Sequence, residues 1–324
     1  MTRQSRYVWL ALWTCVGFGL VWGLLASLGL TLTDVWYSLR ATPLWVWVSV
    51  AALTLINKTV GTLKWQCAAK YLARPVEGLA FWRLVELTNL GALFGQFIPV
   101  QLSTLLVRWF ALGREARATG QVVGATFFEQ SFDLILVLAG TLVAMSAILL
   151  ALSPIQALGV FVAVVGATLL MLRPVLGLVA RLFRAGQAVS ALRRTFESAE
   201  AGFLRAADAP ASVICSLVGY STLRVVIVGL RAVVVMAAFV PEIASWQVFI
   251  ATPAVSLLTA LPTTPAGLGV VEWSWSAILV LSGATAAAGA IAALSLRLVT
   301  FATMIFNAIV LAVLTRGVLG VGKR

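Results

Sequence analysis

Apolar residues run through this chain in stretches of roughly twenty, too long for the alternation of a strand or the one-sided stripe of a surface helix. They predict membrane-spanning helices over 7–30, 43–63, 118–151, 156–180, 211–238 and 286–315. Two further stretches are interrupted. One covers 81–113 and breaks at Ile98-Pro99-Val100-Gln101; the other covers 246–282 and breaks between Pro262 and Gly269. Proline lacks the backbone donor and glycine lacks the steric bias towards helix, so each break ends one helix and lets another start. In hydrocarbon, irregular backbone persists only where protein buries it or a wet cavity solvates it. The expected fold is an all-α polytopic membrane protein with about six full spans and two broken or re-entrant hairpins, in a single integral membrane domain over 1–324.

The two breaks align. Ile98-Pro99…Val107-Arg108-Trp109 matches Leu261-Pro262…Val271-Glu272-Trp273 with one inserted residue. Together with the topology derived below, this is the outline of an inverted repeat whose broken helices meet near the membrane midplane.

Composition supports the membrane reading. Charged residues are 10% and hydrophobic ones 61%, against roughly a quarter charged in soluble domains. The net charge of +12 does not imply a nucleic-acid partner, because the cations cluster in short segments between apolar runs. Arg3 and Arg6, then Lys64, Lys70, Arg74 and Arg83, then Arg108, Arg114 and Arg117, then the basic loop 181–209, then Arg316, Lys323 and Arg324 all fall on one side. The opposite loops, 31–42, 152–155 and 239–245, hold only Arg40 against Asp34 and Glu242. The positive-inside bias therefore puts both termini in the cytoplasm. The loop 181–209 reads as an amphipathic helix on that face. Tyr7 to Leu30 is too long for a cleaved leader and is expected to be the first span.

There is no histidine, and Cys15, Cys67 and Cys215 are scattered. No metal site, disulfide, cofactor or catalytic nucleophile is expected, and no nucleotide-binding loop occurs. The tryptophans, including Trp65, Trp273 and Trp275, read as an interfacial belt with no ligand role.

Charges inside the spans are the candidate chemistry. Glu129 and Asp133 are four apart and share a helix face, as do Arg224 and Arg231, seven apart. Arg108 follows the first break, Glu272 follows the second, and Arg297 lies in the last span. Asn89, Gln96 and Gln101 add uncharged donors and acceptors. A charge at a helix centre costs about 2.5–3.5 kcal/mol on insertion scales, so each needs a partner or a cavity. Three acids do not neutralise four arginines, and guanidinium keeps its charge. The surplus suits a phosphate, which arginine binds bidentately and helix N-termini assist.

Ile98-Pro99 with Arg108, Phe128-Glu129…Asp133, Thr264-Pro-Ala-Gly-Leu-Gly-Val-Val-Glu272 and Arg297 resemble the lysylphosphatidylglycerol synthase transmembrane family, also called flippase-like. The resemblance spans about 7–315. Here Val100 to Leu105 replaces the family's glycine-rich acidic turn, and Glu129-Gln130 replaces its acid–arginine step. The resemblance implies a bacterial cytoplasmic membrane protein that moves a lipid or serves an envelope lipid pathway. It leaves a homo-oligomer or an envelope-synthesis partner open.

The leading expectation is a lipid flippase, not an enzyme, for a phosphate-bearing lipid, either a glycerophospholipid or a polyprenyl-phosphate sugar. Arg108, Arg224, Arg231, Arg297, Gln96, Gly267 and Gly269 are expected to bind the headgroup. Glu129, Asp133, Glu272, Pro99 and Pro262 are expected to gate or couple, with Glu272 and Arg297 serving the outward side. The alternatives are a lipid-modifying membrane enzyme with Glu129 or Asp133 as base, and a non-catalytic accessory subunit.

Overall fold

The computed structural model describes residues 3–72, 80–96, 98, 100–112, 119–150, 153–186, 197, 200–201, 204–260, 264 and 267–320. Among these residues there is no strand, and the chain runs through α1 (Arg3–Ser27), α2 (Leu32–Ala41), α3 (Leu44–Leu72), α4 (Phe81–Phe94) and α5 (Val100–Leu112). It continues through α6 (Thr119–Leu150), α7 (Pro154–Gly186), α8 (Ala211–Phe239), α9 (Ser245–Ala260), α10 (Val270–Leu281) and α11 (Ala286–Gly320). Five of these helices are long and apolar enough to cross a membrane: α3, α6, α7, α8 and α11; counting the bent α1–α2 pair as one span makes six. Leu44, Ile155 and Leu170 are each more than three-quarters exposed, as lipid-facing side chains are.

Helix α1 stops where the Leu30 amide bonds the Leu25 carbonyl and the Gly29 amide bonds that of Ala26, the paired bonds of a Schellman turn. A capping box restarts the chain: the Thr31 hydroxyl accepts from the Asp34 amide while Asp34 accepts from the Thr31 amide. The resulting α2 lies at 86° to α1. Residues 31–42 are thus mostly helix rather than the loop the charge pattern suggested. Leu32, Val35, Trp36 and Leu39 recur at helical spacing, and Val35 packs with Leu25 and Leu294.

Two compact units emerge. Unit 1 comprises 1–57, 92–103 and 226–324; unit 2 comprises 58–91 and 104–225. In unit 2, Phe128, Phe132 and Leu136 descend one face of α6 at four-residue intervals and are almost fully buried. Phe128 and Phe132 meet edge to face and join Leu172, Leu176 and Leu217 in one core. In unit 1, Trp275 and Leu279 of α10 pack with Met236, Val255, Ala292 and Ala293.

The first broken pair folds back on itself. A Cβ added at Gly91 would meet the Thr104 backbone at 3.3 Å, whereas thirteen residues of unbroken helix would separate the two by about 20 Å. In the second, α9 and α10 pack against each other. Pro99 and Pro262 themselves lie outside the described residues, as does most of 187–203, where the amphipathic cytoplasmic helix is expected.

The second span departs furthest from its expected boundary. The second span was expected to end at residue 63, with Lys64 the first cytoplasmic cation; α3 instead runs on to Leu72 and buries Lys64 completely. Acids on α6 make that burial tolerable.

Candidate functional site

In unit 2, the shared helix face of Glu129 and Asp133 organises five charges. Arg108, on α5, donates through Nη1 to Glu129 Oε2 at 2.6 Å and to the Thr126 hydroxyl at 3.4 Å. Its guanidinium lies over the Trp65 ring, 4.9 Å from the centroid. The Lys64 Nζ lies 2.6 Å from Asp133 Oδ1 and 3.9 Å from Glu129 Oε1. Arg224, on α8, donates to Asp133 Oδ2. The series Arg108, Glu129, Lys64, Asp133, Arg224 thus alternates in sign and carries one positive charge more than negative. One end is dry, with the side chains of Lys64 0% and Glu129 3% exposed; the other is half-open, with Asp133 at 27% and Arg224 at 26%.

In unit 1, the second break presents its own ion pair. Gly267 and Gly269 have φ of +67° and +83°, the left-handed region where a side chain is strained. Space forbids one as well: a Cβ on Gly269 would run into the Leu20 side chain and lie 2.9 Å from the Gly17 carbonyl oxygen. Helix α1 closes over this turn, and the Trp273 indole donates to the Leu20 carbonyl at 2.9 Å. Glu272, in the first turn of α10, accepts the Gly269 amide at 2.7 Å through Oε2 and pairs through Oε1 with Arg297 of α11. It is fully buried. Its carboxylate therefore satisfies the positive end of a helix and a guanidinium together.

Beside this pair lies a cavity of about 200 Å³. Its polar lining comprises Arg231, Arg297, Gln96 and the hydroxyls of Thr252, Ser256, Thr259 and Thr300; Trp275, Met304 and Val228 are among its apolar walls. Arg231 contributes a buried Nε and has no carboxylate within ion-pair distance among the described residues. Two guanidinium groups thus face the space against one carboxylate.

The expected site residues therefore separate. Arg108, Glu129, Asp133 and Arg224 come together in unit 2; Gln96, Arg231, Arg297, Glu272 and the Gly267–Gly269 turn come together in unit 1. Asn89 is buried in α4, while the side chain of Gln101 lies outside those described. Three contributors escape a reading of the sequence. Lys64 looks like the stop signal of a span. Trp65 and Trp275 look like belt residues, yet they are 2% and 3% exposed, and one backs Arg108 while the other walls the cavity. The hydroxyl row had a legible signal: Thr252, Ser256 and Thr259 recur at helical spacing. Among the described residues, no cluster of His, Cys, Asp or Glu could hold a metal ion.

An all-helical, multi-pass membrane protein with compensated and uncompensated charges in its interior is the class that this fold and these sites define. The chain belongs to the family of the lysylphosphatidylglycerol synthase transmembrane region, whose model matches residues 11–307. That membership ties the protein to lipid modification or lipid transport at the membrane. No curated protein matches the chain significantly, and no solved structure does.

Proposed function

We propose that this protein is a lipid transporter of the flippase type, carrying a phosphate-bearing lipid across the bacterial cytoplasmic membrane, with both termini in the cytoplasm. The observation that carries the reading is Arg231, a guanidinium facing a cavity with no carboxylate partner among the described residues, next to an Arg297 held by Glu272. A partly buried arginine without an anion among the described residues is costly, and a ligand phosphate is the group that would complete it. The surrounding hydroxyls and Gln96 add donors, and the apolar wall suits the start of an acyl or prenyl tail.

Glu272 is the gate on this reading. An entering phosphate competes with the carboxylate for Arg297, and a lipid that binds one access state better shifts the protein towards it. In unit 2, Arg108, Glu129 and Asp133 serve the inward side. Each unit supports the idea of a repeat: a helix restarting after a break is tied to the next long helix by an ion pair, Arg108–Glu129 in one and Glu272–Arg297 in the other. The polarity is exchanged between them.

An enzyme using Glu129 or Asp133 as general base is the second reading, and the family's naming for a synthase favours keeping it in view. Against it, each carboxylate is already engaged by an arginine and faces Lys64. The test is the purified protein in vesicles with a fluorescent phosphatidylglycerol in one leaflet. Movement of unaltered lipid supports the transporter, a changed lipid supports the enzyme, and neither supports an accessory role.

A further inference from the structure

Lys64 is wholly buried between two carboxylates, and the anion cavity does not use it. Facing it are Glu129 and Asp133 from α6 and Arg224 from α8; Arg108 of α5 reaches the group through Glu129. On α4, Arg83 and Glu86 pair with each other, and on α3 itself Lys58 and Lys70 lie six residues to either side. Glu129 and Asp133 each have an arginine of their own. Neutral Lys64 leaves two complete ion pairs, Arg108–Glu129 and Arg224–Asp133, and Lys64 is the one lysine among the three cations of the series. Arginine does not give up its proton in proteins, whereas lysine does so readily in suitable surroundings. A route also exists, because Asp133 touches both the buried ammonium and the half-open end of the series.

We propose that Lys64 and Asp133 form a proton-binding site and that this site couples lipid movement to the transmembrane proton gradient. On release, a Lys64 Nζ–H bond breaks, its electron pair stays on nitrogen, the proton passes to Asp133 Oδ1 and then to water. The series goes from one net positive charge to neutral; binding reverses each step. If the two access states hold the proton unequally, a gradient drives one into the other. The coupling half rests on the transport reading above, while the proton site stands without it.

The experiment has two arms. In detergent, protons released between about pH 5 and about pH 9, a range in which an ordinary lysine stays charged, are counted for the unaltered protein and for Lys64→Arg and Lys64→Met. Each variant is expected to release one proton fewer per chain; equal counts overturn the site. Two variants are used so that misfolding of one leaves the comparison intact. In vesicles, an imposed pH gradient is expected to speed fluorescent phosphatidylglycerol movement about tenfold or more in the unaltered protein and to leave Lys64→Arg unaffected. A Lys64→Arg protein with parental gradient dependence overturns the coupling. Absence of lipid movement under every condition instead counts against the transport reading, and the proton count still decides the site.

Discussion

The Arg297 guanidinium meets Glu272 at Oε1, the carboxylate oxygen that the Gly269 amide leaves free. One acid thereby links α11 to the glycine turn that starts α10, and its partner Arg297 borders the cavity that Arg231 enters. Loss of the acid should be felt in two places, which makes the contributions separable.

Glu272→Ala should cost about 3–5 kcal/mol of stability, since it removes the carboxylate paired with a largely buried guanidinium and uncaps the helix. Glu272→Gln should cost less, because the amide oxygen still accepts from Gly269. It should reach the membrane yet lose or uncouple lipid movement. Thermal unfolding in detergent with the vesicle assay checks both; transport at the parental rate would make Glu272 a structural cap only.

Arg231→Met should separate stability from function. Removing a partly buried charge that has no carboxylate partner among the described residues is expected to be neutral or stabilising. Lipid movement should fall roughly 10- to 150-fold, the worth of a charge-assisted hydrogen bond of about 1.5–3 kcal/mol. A variant less stable but fully active would contradict the assignment.

Two glycines make a controlled comparison. Gly269 and Gly283 both have positive φ, but a Cβ on Gly283 meets nothing within 4 Å among the described residues, whereas one on Gly269 collides with α1. Gly283→Ala should cost about 1–2 kcal/mol from backbone strain alone. Gly269→Ala should cost clearly more, or abolish accumulation in the membrane. Equal melting shifts would mean that α1 yields.

At Trp65, Phe should be tolerated and Leu should not. The indole nitrogen is buried without a hydrogen-bond partner among the described residues, so its loss removes a liability, while the ring face remains for Arg108. Trp65→Leu forfeits the cation–π contact, worth about 0.5–2 kcal/mol. The difference between the two melting temperatures measures that contact.

Legibility divides along physical lines. The spacing of Glu129 and Asp133 puts both on one helix face, and the proline–glycine clusters mark where helices stop, because both follow from local backbone geometry. Lys64 was illegible for the opposite reason. Its partners lie 65 and 69 residues further along the chain, so a local reading sees a cation ending an apolar run, which is also how spans stop at water. Trp65 and Trp275 were misplaced on the same ground, since aromatic residues near span ends usually sit at an interface. Helix α2 is hard to read locally because ten residues with Asp34 and Arg40 resemble a loop, while Val35 is buried against α1 and α11.

That short helix has a mechanical consequence. Were α1 to stand along the membrane normal, the 86° turn would lay α2 in the plane of the surface, with Trp36 and Tyr37 exposed. An aromatic crossbar at headgroup level acts like a float: raising it strands ring faces in water, and sinking it drags Asp34 and Arg40 into oil. In that orientation the crossbar would pin the protein's depth at one leaflet and leave bilayers of unequal thickness to adjust at the other.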